Sequence, residues 1–243
     1  MLATEMNSEP KCLFLDNDHI KDMSGLCLTM HQPKKIGAVF KNPRIGTQLR
    51  SGPMWIPGEK VYKMIGSLCI VSEDGLHWEV PPPRDQNTKS SDSYNRVRVN
   101  TLDGFITDTE NVVFDPDDPD PDRRYKCMYG GEKRYVAVSA NGYDFKSLDV
   151  PPIISPDHLP LGDESQLVYD RGHSKFMALI KHDNEWGRAI SLSLSTDFEN
   201  WTMPEQIFGS DERDQERARN IIKDRLANPN DGGPLFVDAE PPS

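Results

Sequence analysis

The chain has 243 residues and a formal net charge of −11, with 39 acidic against 28 basic residues. That balance argues against nucleic-acid binding, which needs clustered Lys and Arg to neutralise phosphates, and it suits an uncharged or cationic partner better. No apolar run approaches the length of a membrane span and the first twenty residues lack the basic start and apolar core of a signal peptide, so no membrane partner is expected; the chain reads as cytoplasmic as written, or as secreted or periplasmic if its N-terminus is incomplete.

Only 36% of residues are apolar, while 20 Pro and 17 Gly accumulate between short apolar runs. Many strands joined by polar turns follow from such a profile, so the expected fold class is all-β. No composition shift or linker divides the chain, and one domain over residues 1–243 is expected. Cys12, Cys27, Cys69 and Cys127 are far apart and none sits in a C-x-x-C pair, which favours reduced, mostly buried thiols over disulfides or a zinc site.

In chain order, Leu13-Phe14-Leu15-Asp16 reads as a short strand and residues 26–31 as a second. Three units of about fifty residues follow, in the length range of blades and solenoids. The first runs from Pro53-Met54-Trp55-Ile56 through Val61-Tyr62-Lys63-Met64 and Leu68-Cys69-Ile70-Val71 to a turn box at residues 72–78. The second runs from Asn111-Val112-Val113-Phe114 through residues 124–129 and Tyr135-Val136-Ala137-Val138 to a box at residues 139–145. The third runs from Gln166-Leu167-Val168-Tyr169 through residues 175–179 and 189–194 to a box at residues 195–201.

Each box places Ser first, Asp or Asn third and an aromatic seventh. Gly75 and Gly142 stand fourth, where a tight connection needs positive φ, but Phe198 takes that place in the third copy. Beyond the third box, Ala218, Ile221, Ile222 and Leu226 recur at helical spacing, which predicts a helix over residues 211–227 capped by Ser210 or Asp211. A Pro- and Gly-rich stretch at residues 228–234 ends it, and residues 235–238 read as the start of another strand.

Strand, turn, strand, strand and box in one repeated order is the pattern of a β-propeller blade. The units, together with the opening Leu13-Phe14-Leu15-Asp16, His31-Gln32-Pro33 and residues 110–116 (beginning Glu110-Asn111-Val112), resemble the five-bladed propeller glycoside hydrolases of families 32 and 43, family 32 above all. The resemblance covers most of residues 11–227. It implies a five-bladed-type propeller of which this chain carries about three blades plus an N-terminal strand pair, an incomplete ring with one C-terminal helix.

In that superfamily the innermost strands surround a funnel, and three carboxylates act on the glycosidic bond. An oxocarbenium-like transition state needs one carboxyl group protonated to assist the leaving oxygen and another ionised to attack or to activate water. By position at the funnel, the resemblance nominates Asp108 and Glu110 in the second unit and Asp163 and Glu164 in the third as catalytic. Arg50, Trp55, Arg188 and His182 are the candidate substrate-binding residues. The first unit has no carboxylate at the corresponding stretch, residues 50–55.

The expected partner is a carbohydrate, with no cofactor and no metal implied; oligomeric state stays open. Two further readings stand beside hydrolysis: a non-catalytic propeller that binds carbohydrate or protein, and an inactive truncated fragment. The acidic run at residues 115–122 lacks the Gly and terminal Glu of an EF-hand loop, and its prolines predict an extended, solvated hairpin connection. No G-x-S-x-G, P-loop or G-x-G-x-x-G is present.

Overall fold

The computed structural model describes residues 24, 25, 27, 29, 31–41, 49–82, 96–106 and 109–228. The chain divides into two compact units, Met1–Ala38 and Val39–Ser243. The strand expected at residues 13–16 lies outside the described residues, as do residues 229–243. Of the second expected strand, Cys27, Thr29 and His31 are described and are in no strand. All the elements below belong to the larger unit.

Three antiparallel meanders form where the three repeats were expected. The first is β1 (Met54–Ile56), β2 (Val61–Ile65) and β3 (Cys69–Ser72). A hairpin follows, β4 (Arg98–Thr101) and β5 (Gly104–Ile106). The second meander is β6 (Asn111–Phe114), β7 (Tyr125–Tyr129), β8 (Tyr135–Ser139) and β9 (Asp144–Ser147). The third is β10 (Leu161–Asp170), β11 (Lys175–Asn184), β12 (Gly187–Ser195) and β13 (Glu205–Gly209), and the helix α1 (Glu212–Ala227) comes last.

The β4–β5 hairpin was not expected. β4 lies parallel to β9, Arg98 opposite Asp144, and turns the second meander into a six-stranded sheet. Its sequence carried the signal, because Val97 and Val99 alternate toward the core with no exposure at all and Asp103-Gly104 supplies the turn.

The three boxes fold alike. The Ser hydroxyl accepts the N–H of the fourth residue at 2.9 Å (Ser72, Gly75), 3.0 Å (Ser139, Gly142) and 2.9 Å (Ser195, Phe198). Oδ1 of Asp74, Asn141 or Asp197 accepts the next two N–H groups at 2.8 to 3.0 Å. In the first and third copies the seventh-residue indole donates to the fourth-residue carbonyl, Trp78 to Gly75 at 2.9 Å and Trp201 to Phe198 at 3.3 Å.

The fourth position has φ near +76° at both glycines and +67° at Phe198. A left-handed non-glycine residue costs roughly 1–3 kcal/mol. Phe198 is fully buried, 5.0 Å from the Phe176 ring and 5.6 Å from that of Trp201, and burying such a side chain returns about 1.5–3 kcal/mol. The turn therefore survives without glycine because its ring fills the core beneath it.

The sheets pack face to face through two apolar clusters. Ile56, Ile65 and Cys69 of the first sheet meet Val112, Tyr125, Cys127, Tyr143 and Phe145 of the second. On the opposite face Met128, Val136 and Val138 meet Leu167, Phe176, Ala178, Ile180 and Phe198 of the third. Every residue of β7 is consequently buried.

Buried lysines lie at both contacts, at one register position. Lys63, opposite Val71, reaches Glu59 at 2.6 Å and sits over the Tyr125 and Tyr143 rings of the second sheet. Lys126, opposite Val138, reaches Asp115 at 3.0 Å and Asp118 at 2.7 Å and sits over Phe176 and Phe198 of the third. The acidic loop is thus no merely solvated connection. Asp115 is buried, and the loop folds around the Lys126 ammonium because a buried cation must be paired.

Helix α1 is capped at Asp211 by a reciprocal box with Asp214, and none of its residues is buried. No helix among the described residues is long and apolar enough to cross a membrane.

Candidate functional site

Strand register separates two ends of the stack. Ser72 stands opposite Tyr62, Ser139 opposite Tyr125 and Ser195 opposite Phe176, so all three boxes mark one end. β6 starts at the other end, Asn111 opposite Met128, and β10 starts there too, Leu161 opposite His182. The first strands of the three meanders are neighbours, since β6 touches both β1 and β10.

Glu110 occupies that convergence. Its N–H is held by Met128 O at 2.9 Å, which continues the β6 ladder by one residue and fixes the direction of the side chain. Oε1 accepts from Arg50 Nη1 at 3.1 Å; Oε2 accepts the Ser165 N–H at 2.9 Å and lies 3.4 Å from Arg134 Nε. Arg50 precedes β1 and Ser165 lies in β10, so one carboxylate ties together the starts of all three sheets. Asn111 reinforces the joint by donating to Ser165 O at 2.6 Å, as does Thr109 to Gly66 O at 3.3 Å.

Arg134 lies almost wholly inside, and nothing in the sequence singled it out. Its guanidinium donates to Gly130 O at 2.7 Å, to Gly131 O, to Gly162 O at 3.3 Å and to Ser165 Oγ at 3.4 Å. It therefore shapes the β7–β8 loop and the start of β10 around itself. Gly130 is required there, with φ +107° and with Lys133 O filling the space a Cβ would take. The available signal was the Gly130-Gly131 turn between two strand runs. That an arginine beside such a turn points inward cannot be read from the chain, because most arginines are exposed.

A cleft of about 630 Å³ opens at this point, lined among others by Glu110, Gly131, Glu132, Arg134, Gly162 and Asp163. A second hollow of about 210 Å³, lined by Ile106, Thr109, Glu110, Gly130 and Gly131, shares the Glu110 wall. The larger volume suits a small-molecule ligand, and its lining offers carboxylates and carbonyls to hydroxyl groups. Glu132, a third carboxyl group on this cleft, was also missed in the sequence.

Asp163 is exposed and paired with Lys181, whose hydrogen bond is the main reason its carboxyl is held below the usual range; the Arg188 charge adds to this. It is an ionised group at neutral pH. Glu164 is half-exposed, with Oε1 3.9 Å from Arg50 Nε. Asp108 lies outside the described residues. Arg188 is exposed at the start of β12, opposite Asp183.

Two of the candidates stand apart from the cleft. His182 is buried, its Nδ1–H donating to Asp183 O at 3.1 Å and its Nε2 accepting from Ser191 at 2.9 Å, so both ring nitrogens are used inside the third sheet. Trp55 is 45% exposed at the box end, 4.9 Å from the Tyr62 ring, in a separate groove of about 350 Å³ with Phe114, Tyr169 and Arg171. Of the eight named residues, Glu110 and Asp163 line one cleft, Arg50 pairs with Glu110, and Glu164 lies near Arg50.

No family model matches the chain, and no curated protein does. Among solved structures it is similar to a fructofuranosidase from Schwanniomyces occidentalis complexed with fructose, at 13% identity over 66% of this chain and 34% of that one, TM-score 0.42. The GH32 β-fructofuranosidase of Bombyx mori follows at 17% identity, 63% and 32% coverage, TM-score 0.34. Fructan 1-exohydrolase IIa from Cichorium intybus gives 13%, 72% and 35%, TM-score 0.34. The chain spans about a third of the length of these structures. They include the enzyme family that the sequence motifs resemble, and the likeness assigns no role to any residue of this chain.

Proposed function

We propose that the chain is a propeller-type protein of the glycoside hydrolase class, a single domain whose units span about residues 50–100, 104–156 and 161–208, and that the cleft at Glu110 takes a saccharide. The observation that carries this is the placement of one anchored carboxylate where the first strands of all three sheets meet. Two guanidinium groups and an N–H converge on Glu110, so it is built as a fixed anion, suited to stabilising the positive charge that develops on a sugar ring as a glycosidic bond breaks. Asp163, ionised and solvent-facing on the same cleft, has the form needed to activate water. Glu132 is the third carboxyl group lining that cleft.

A second assignment, saccharide binding without turnover, is favoured by one observation: both oxygens of Glu110 are already engaged by protein donors. Glu110→Gln and Asp163→Asn, assayed separately against a glycan panel with titration calorimetry alongside, decide between them. Hydrolysis predicts a wild-type turnover that falls by at least ~100-fold in each variant. Turnover unchanged in both variants sinks the site assignment. Calorimetric binding with no turnover establishes the second assignment instead.

A further inference from the structure

Strand β10 meets the Glu110 cleft at a break in its own pairing. Leu161 stands opposite His182 and Ser165 opposite Ile180, so Gly162, Asp163 and Glu164 together face Lys181 alone. Extra residues on one strand bend it and re-aim a side chain, and such bulges recur beside active sites. This bulge brings Gly162 and Asp163 to the lining of the cleft. Arg134 holds it from the second sheet, donating to Gly162 O at 3.3 Å and to Ser165 Oγ at 3.4 Å.

From the other side the bulge is crossed by Lys181. The position that a Cβ would take at Gly162 is 3.0 Å from Lys181 Cε and 3.1 Å from its Cγ, so the lysine stem runs over bare backbone. A side chain at residue 162 would push that stem aside. The Lys181 side chain is 24% exposed, and its ammonium pairs with Asp163, which is 72% exposed. An exposed ion pair ordinarily gains little, because two mobile side chains must be ordered to make it. Here the packed stem already orders the lysine, and only its charged end reaches out to the carboxylate.

We propose that Lys181 is a positioning residue, which clamps the β10 bulge and fixes the Asp163 carboxylate on the wall of the Glu110 cleft. Its consequence for catalysis rests on the reading of Asp163 as the group that activates water, a task that needs the carboxylate both ionised and held in place. The hydrogen bond from Lys181 is the largest cause of the depressed Asp163 carboxyl, whereas Arg188 in β12 contributes charge alone. The other charged groups about it are Glu164 next to it in β10, itself 3.9 Å from Arg50, and Glu110, Glu132 and Arg134 on the cleft.

Titration of the Asp163 carboxyl by carbon-detected NMR tests the clamp whether or not the protein turns over a glycan. In Lys181→Met the midpoint is expected to move up toward that of an ordinary carboxylate, because the methionine keeps the stem and loses the cation. Lys181→Arg should bring it back toward the wild-type value, and Arg188→Met should move it less than Lys181→Met does. Superimposable wild-type and Lys181→Met curves overturn the proposal. So does Lys181→Arg titrating like Lys181→Met, or an Arg188→Met shift as large as that of Lys181→Met, which would make the effect one of diffuse charge. With a hydrolysed saccharide in hand, the acid limb of the kcat/KM profile is expected to move up in Lys181→Met by the amount the NMR midpoint does. A midpoint that moves while turnover is absent, or while the acid limb stays in place, upholds the clamp and sinks the role given to Asp163 in hydrolysis.

Discussion

At the scale of single residues, the same side chains serve different ends according to what surrounds them. Asp74 and Asp197 hold their turns by accepting backbone N–H groups, and both carboxyls lie well below the usual range, Asp74 chiefly through the His77 N–H and Asp197 chiefly through the Asn200 amide. A depressed folded-state value stabilises the fold fully above the unfolded value of about 4 and is lost as pH falls through the folded one. Asp197→Asn keeps the two backbone contacts that Asn141 makes in the second box, and with the Asn200 amide turned over its Oδ1 accepts from the new Nδ2 in place of the lost Asn200 donation to Oδ2. We expect it to leave the urea midpoint at pH 7 little changed and to flatten the decline in stability on going below pH 4. An acid limb as steep as that of the wild type would show that the turn carboxylate does not contribute. None of this distinguishes the cleft carboxylate Glu110, whose residue type is shared by many others in an acidic chain and whose partners Arg50 and Ser165 lie 60 and 55 residues away in the sequence.

Elements show where local pattern suffices. The expected strand runs and the observed strands agree to within a residue or two in the first two units because alternation and turn chemistry are local signals. In the third unit β10 and β11 each run to ten residues, since their pairing continues past the apolar stretch as far as Leu161 opposite His182. The helix was equally legible, from its cap and its spacing. With no buried residue, α1 touches the sheets through contacts such as Gln215 to Trp186 O, so its stability should be nearly independent of theirs. Asp211→Ala is expected to cost about 1 kcal/mol, felt in the first turn of the helix only. Hydrogen exchange should then speed up at the Asp214 and Gln215 amides while the global unfolding midpoint stays put. A matching fall in the global midpoint would mean that the helix folds as part of the sheet core.

For the whole molecule the second sheet is the keystone, because both of its faces are covered and it shares a cluster with each neighbour. Lys126 sits at one of those contacts, with Asp115 buried beside it. Removing one member of a buried ion pair typically costs roughly 3–5 kcal/mol, since the charge left behind has no water. Lys126→Met is therefore expected to destabilise by about that amount in equilibrium denaturation. A loss under 1 kcal/mol would place the pair in effective contact with solvent.

Read from the sequence alone are the repeat (three units of three strand runs, each closed by a box), an all-β architecture, a capped helix and the end of the second and third units at which Glu110 and Asp163 enter. Those features rest on turns and alternation, which act over a few residues. The tertiary structure alone decided that Glu110 is shared by three sheets, that Arg134 and Lys126 turn inward, that His182 is spent inside a sheet and that Trp55 belongs to the opposite end. It also set β4 beside β9. Each of these depends on pairing between distant segments, and a residue's own neighbours in the chain carry no record of which sheet will be packed against it.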